Sequence, residues 1–267
     1  MTQLFEVKDL VVRYGETTAV KGVSLTLGPG ETFGLVGESG SGKTTMGLAA
    51  LGMLPRNAAI EGEVRFEGRD LTTVPAREMR RIRGEKISAV LQNPSTSLDP
   101  AYTIGDQISE TFRAHRKIGR REARAEAVRM LREVGIAAPE ERLDAYPHQL
   151  SGGMNQRVAI AIALALNPAL LIADEPTSAL DVTVQAQILR LLRNHIASHR
   201  TAVVLVSHDL GVVAQVSDRV AVMYEGEIVE QAPVRRIFAA PEHPYTRKLL
   251  DALPGRQRLA AGGRPAA

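Results

Sequence analysis

The sequence predicts an α/β fold in which a parallel sheet carries a glycine-rich loop and a helical stretch interrupts the sheet. Three observations predict it. Residues 37–44 read Gly-Glu-Ser-Gly-Ser-Gly-Lys-Thr between an apolar strand-like run and a helix-compatible run. Strand and helix patterns alternate through the second half, as in a parallel sheet covered on both faces. Between these regions the apolar period becomes helical: Ile104, Ile108 and Phe112 recur every four residues, and Val128, Leu131 and Val134 sit at helical spacing.

In chain order, residues 4–14 and 23–27 alternate β-branched and polar residues as strands do, and residues 61–66 repeat the pattern between Gly62 and Gly68. Residues 32–36 form a short apolar run suited to a buried strand, and residues 45–51 are helix-compatible. Residues 87–91 form a continuous apolar run expected of a buried strand. Residues 94–150 make a helical insertion. Strand character returns at 169–173 and 201–206, with a helix over 182–199 between them. Residues 219–224 and 227–231 read as a hairpin turning at Glu225-Gly226, and the Ala/Gly/Pro-rich tail from Ala260 is expected to be disordered.

The glycine-rich run is a phosphate loop. Gly37, Gly40 and Gly42 allow backbone angles that side chains obstruct, so N–H groups along Glu38, Ser39, Ser41 and on to Thr45 can turn around an anion. A helix N-terminus adds partial positive charge and Lys43 a full one. In such loops the lysine reaches the β- and γ-phosphates of a nucleotide and the hydroxyl, here of Thr44, ligates Mg²⁺. Residues 170–175, Leu-Leu-Ile-Ala-Asp-Glu, form an apolar strand ending in two carboxylates. Asp174 can hold the Mg²⁺ shell and Glu175 can polarise a water in line with the γ-phosphate. The competing reading is that the pair caps a helix following Pro176. Ser151-Gly152-Gly153 opens a long apolar helix. Ser151 suits an N-cap, but two glycines in a first turn cost stability, which points to a close backbone approach. A second anion-binding element suggests a nucleotide shared between two subunits.

Composition narrows the class. The chain has 267 residues, 44% apolar and 24% charged, with no cysteine, which excludes disulfides, thiolate metal sites and cysteine nucleophiles. Residues 1–8 lack the hydrophobic region of a signal peptide, and a cytoplasmic protein is expected. The longest apolar stretch, residues 158–166, is less than half of the ~20 residues a membrane span needs. The net charge of +3 is modest and reads as solvated helix faces, so no nucleic-acid partner is expected.

These motifs, in this order, resemble the nucleotide-binding subunit of an ATP-binding cassette (ABC) transporter over nearly the whole chain, from Tyr14 to about Pro254. The resemblance implies a P-loop NTPase core with an antiparallel β subdomain and an inserted helical subdomain. Residues 1–93 and 158–232 would form the core, 94–157 the helical subdomain with its signature motif, and 233–267 a short helical extension and tail. ATP and Mg²⁺ are the implied cofactors. Tyr14 would stack on adenine. Gln92 would sense Mg²⁺ and the attacking water and join core to helical lobe. Asp181, in Ser-Ala-Leu-Asp, would bridge to the opposing subunit, and also suits an N-cap. His208 would contact the γ-phosphate and hold Glu175 in position.

Gln92-Asn93-Pro94, Ser97-Leu98-Asp99-Pro100, residues 179–187 and His243-Pro244-Tyr245-Thr246 resemble the dipeptide, oligopeptide and nickel importer subfamily. Met154 after the glycines resembles its D-type subunit. The resemblance implies a second, F-type ATPase subunit, two membrane permease subunits, an extracellular or periplasmic solute-binding protein, and a peripheral place on the cytoplasmic face of the membrane. Many peptide-importing members continue further after His-Pro-Tyr-Thr, and some carry C-terminal cysteines that this chain lacks. The pattern is therefore compatible with nickel or metal-chelate import as well as with peptides. A soluble ABC ATPase would be expected to carry two cassettes or a long coiled coil, and a P-loop kinase would not need residues 150–153.

Overall fold

The computed structural model of the protein describes residues 3–92, 97–178 and 180–252. Asn93, Pro94, Ala179 and the tail from Ala260 lie outside the described residues. The chain forms two compact units, one from Met1–Met79 with Ala202–Ala267 and one from Arg80–Thr201.

The first unit contains a four-stranded antiparallel sheet ordered β2-β1-β4-β5, with β1 Phe5–Tyr14, β2 Thr17–Leu27, β4 Ala58–Phe66 and β5 Arg69–Asp70. Alternation along β1 buries Phe5 and Val7, then Leu10 and Val12. The phase slips by one residue between the pairs because the strand bulges there: Asp9 has φ 48° and the register shifts against both neighbours. In the same unit β3 Thr32–Val36, wholly buried, lies parallel to both β8 Ala202–Ser207 and β9 Arg219–Tyr224. Strands buried on both faces read as continuous apolar runs, which is how residues 32–36 and 201–206 look in sequence. The β9 strand turns through Glu225 and Gly226, both at positive φ, into β10 Glu227–Pro233. Helices α1 Lys43–Ala50, α2 Ala76–Glu85, α8 Leu210–Val216, α9 Val234–Ala239 and α10 Pro244–Asp251 lie wholly or partly in this unit.

The second unit holds the parallel pair β6 Ile87–Val90 and β7 Leu170–Asp174. Its helices are α3 Ile104–His115, α4 Arg120–Glu133, α5 Pro139–Arg142, α6 Gly152–Leu164 and α7 Val182–His199. Of the apolar residues that set the helical period, Ile104, Ile108, Phe112, Leu131 and Val134 are buried and Val128 is half-buried. The apolar stretch at 158–166 lies mostly within α6, whose residues are buried almost throughout its second half. Among the described residues no helix is long and apolar enough to cross a membrane.

Candidate functional site

The phosphate loop joins β3 to α1 in the first unit. Gly42 is the N-cap of α1 at φ 101°, with no side chain capping the first turn. A Cβ at Gly42 would lie 2.4 Å from the Ala19 carbonyl oxygen, and one at Gly37 would lie 2.1 Å from the Met223 carbonyl oxygen. The loop is thus seated against the backbone of β2 on one side and β9 on the other. The β9–β10 turn reinforces this seat, because Gly226 N–H donates to the Ser41 carbonyl (3.2 Å) and Lys21 N–H donates to the Gly226 carbonyl (2.8 Å).

Lys43 is buried, and its Nζ donates to the carbonyls of Gly37 (2.8 Å) and Glu38 (2.7 Å) and to Ser41 Oγ (3.2 Å). The ammonium therefore sits inside the arc of the loop. Glu38, Ser39, Gly40 and Thr44 are exposed around it, with Thr45 half-buried. A helix N-terminus uncapped by any side chain, a buried cation and glycines with no room for a Cβ make a donor set suited to phosphate oxygens.

Two other predicted residues belong to this unit. Tyr14 ends β1 and is half-buried. His208 is exposed directly after β8, and the next residue, Asp209, caps α8 by accepting from Gly211 N–H (2.8 Å) and Val212 N–H (3.2 Å).

The carboxylate pair lies in the second unit. Asp174 ends β7 and is buried, and Glu175 follows half-buried at φ 47°. The left-handed conformation is costly for a residue with a Cβ, and such positions concentrate where geometry serves function. Pro176, Thr177 and Ser178 form a turn and not a helix, so these residues offer no helix for the pair to cap. Ser178 closes that turn: its N–H and Oγ donate to the Glu175 carbonyl (3.1 and 3.0 Å) and its Oγ also reaches the Gln92 carbonyl (3.4 Å). Gln92 Nε2 donates to Glu175 Oε2 at 3.1 Å, bringing together two residues 83 positions apart. The sequence placed Gln92 and Glu175 in one site but showed neither this bond nor the role of Ser178.

Ser151 caps α6, its Oγ accepting from Met154 N–H at 3.3 Å. A Cβ on Gly153 would lie 3.2 Å from Val184 Cγ1, so close packing against α7 explains that glycine. A Cβ on Gly152 would meet nothing within 4 Å, so nothing among the described residues requires a glycine there. Asp181 caps α7 through Val184 N–H (2.9 Å), as its sequence position allowed.

A cavity of about 390 Å³ in the second unit, lined by Met130, Glu133, Arg157, His195 and His199 among others, contains none of the predicted site residues. His195 is buried there, stacked on His199 with ring centroids 4.3 Å apart, and its Nδ1 is 3.7 Å from Glu133, too far for a hydrogen bond. Burial, and then the His199 charge, push its pKa below the ordinary value, outweighing Glu133.

Residues 20–178 match the ABC transporter family, and residues 229–264 match the C-terminal region of oligopeptide/dipeptide transporters. The chain is 51% identical to a probable peptide ABC transporter ATP-binding protein of Sinorhizobium fredii, over 96% of this chain and 78% of that one. It is 49% identical to the oligopeptide transport ATP-binding protein OppD of Bacillus subtilis, over 95% of this chain and 73% of that one. Among solved structures it resembles the dimeric post-hydrolysis state of an ATP-binding cassette bound to ADP and Pi. The TM-score is 0.77 at 31% identity, covering 86% of this chain and 98% of that one. Loop, carboxylate strand and C-terminal segment together place the chain in the ABC transporter family, as an ATP-hydrolysing nucleotide-binding subunit of the oligopeptide/dipeptide type.

Proposed function

We propose that this subunit binds and hydrolyses ATP to drive uptake of peptides through separate permease subunits at the cytoplasmic face of the membrane. A periplasmic or extracellular binding protein would deliver the solute, and a different, F-type chain would complete the ATPase pair. The names of the similar proteins support peptides over nickel or metal chelates as cargo. The observation that carries the reading is the phosphate loop itself, with Lys43 buried within its arc and backed by two strands.

Lys43 would bind the β- and γ-phosphates, and the N–H groups of residues 37–45 would surround them. Tyr14 offers an aromatic face to adenine. Thr44 would offer a hydroxyl, Asp174 a carboxylate and Gln92, whose Nε2 is committed to Glu175, an amide oxygen, ligand types that suit Mg²⁺. When bound, Mg²⁺ would neutralise charge on the phosphate oxygens.

Glu175 would take a proton from the attacking water, with Gln92 orienting its carboxylate. His208 would contact the γ-phosphate. Ser151, Gly152 and Gly153 would meet the nucleotide held by the other subunit, and Asp181 would bridge to that subunit. Both subunits would then contact the γ-phosphate, so ATP would favour closure and hydrolysis would release it. The test is Glu175→Gln in the assembled transporter. ATP binding should persist, turnover should fall at least about a hundredfold, the usual range for a general base, and the dimer should accumulate. Undiminished turnover removes Glu175 from the role.

A further inference from the structure

The segment His243-Pro244-Tyr245-Thr246 marks the subfamily in sequence, and none of the chemistry above uses it. In the structure it reaches the phosphate loop: Glu38 N–H donates to Tyr245 Oη at 2.9 Å. The same peptide unit is held at its other end, because the Gly37 carbonyl accepts from Lys43 Nζ at 2.8 Å. A peptide unit is planar, so fixing its N–H and its carbonyl fixes its plane. Rotation of that plane would withdraw one of the acceptors that hold the Lys43 ammonium.

Tyr245 is well placed for this. Its ring packs on Tyr224, at the end of β9, with centroids 4.3 Å apart. Pro244 opens α10, and His243 Nδ1 accepts from Tyr245 N–H at 3.2 Å. The segment is anchored to β10, where Glu230 accepts from the N–H groups of Glu242 and His243, each at 2.9 Å. Burial pushes the Glu230 carboxyl up, but the neighbouring Thr246 hydroxyl and these two N–H groups hold it below the usual range, so the anchor is ionised at neutral pH. Burial pushes the Tyr245 phenol above its ordinary value, so it meets the loop as a neutral acceptor.

We propose that Tyr245 is a positioning residue of the ATP site, which holds the Gly37–Glu38 peptide so that Lys43 faces the phosphates and makes the C-terminal region a structural part of that site. The inference rests on reading residues 37–44 as the ATP phosphate loop, and the experiment separates the two. Tyr245→Phe keeps the ring and removes the acceptor. In the purified full chain it should weaken binding of a fluorescent ATP analogue and of ADP about three- to tenfold, the effect of losing one hydrogen bond. Its thermal midpoint without nucleotide should stay near wild type. In the assembled transporter KM for ATP should rise with kcat nearly unchanged.

Wild-type affinity in Tyr245→Phe overturns the proposal, as does a lowered thermal midpoint with unchanged affinity. Lys43→Ala should abolish binding in parallel. Binding retained in Lys43→Ala sinks the reading of the loop, whereas binding lost there but intact in Tyr245→Phe sinks only the role of Tyr245. Hydrogen exchange needs no variant: the Glu38 amide of the wild-type chain should be protected without nucleotide. Exchange at the rate of an unstructured amide contradicts the proposal.

Discussion

Glu175 and Gly42 show at residue scale how the backbone serves this site. Both have positive φ, but glycine adopts it freely whereas Glu175 is held there by the Ser178 turn and by Gln92. Gly42→Ala should strain the loop, since the added Cβ meets the Ala19 carbonyl oxygen at 2.4 Å. A cost of about 1–3 kcal/mol is expected, with ATP binding lost before the fold, measured by denaturant titration beside nucleotide binding. His195 gives a pH prediction. Its folded pKa is lowered, so the unfolded chain binds more protons from the ordinary value of 6.5 down to the folded pKa. Stability should fall as pH drops through that window and be fully present above it. His195→Gln, compared with wild type in urea between pH 7.5 and 5, should flatten that slope, and an unchanged slope would assign it to other groups.

Among the elements, α7 was the most legible. The sequence marked residues 182–199, and the helix spans Val182–His199, because Asp181 caps its start and Arg200 ends it in the left-handed conformation. That cap gives a prediction at this scale. Asp181→Ala should destabilise the chain by about 1 kcal/mol, while Asp181→Asn retains the cap. If ATPase activity of the pair falls in both variants, Asp181 acts across the subunit boundary through its charge. Recovery of activity in Asp181→Asn restricts it to capping. Other elements were illegible for physical reasons. Helix α2, Ala-Arg-Glu-Met-Arg-Arg-Ile-Arg-Gly-Glu, buries only Met79, so no apolar stripe announces it. Helix α8, Leu-Gly-Val-Val-Ala-Gln-Val, is β-branched and reads locally as strand, and the Asp209 cap decides otherwise.

For the whole molecule, Gly152 matters most. It is exposed and, among the described residues, has no neighbour within 4 Å of its would-be Cβ, unlike Gly153, which packs on Val184. A glycine with no internal reason fits a surface that another subunit approaches. Gly152→Val should leave the unfolding free energy of the isolated chain within about 1 kcal/mol of wild type and strongly reduce ATPase activity of the assembled pair. The isolated chain should itself hydrolyse ATP poorly, so robust concentration-dependent turnover without a partner would count against an obligatory F-type subunit.

The sequence by itself determined the loop, the carboxylate strand, the capped helices and the family. These signals are local: glycine spacing, an apolar run ending in acids, and caps next to the helices they start. Only the tertiary structure decided that Gln92 holds Glu175 across 83 positions and that Tyr245 holds Glu38 across 207. Hydrogen bonds between residues so far apart leave no periodicity and depend on which strands lie side by side. The tertiary structure also separated Gly152 from Gly153, because a missing Cβ signals close approach only when the neighbouring atoms are known.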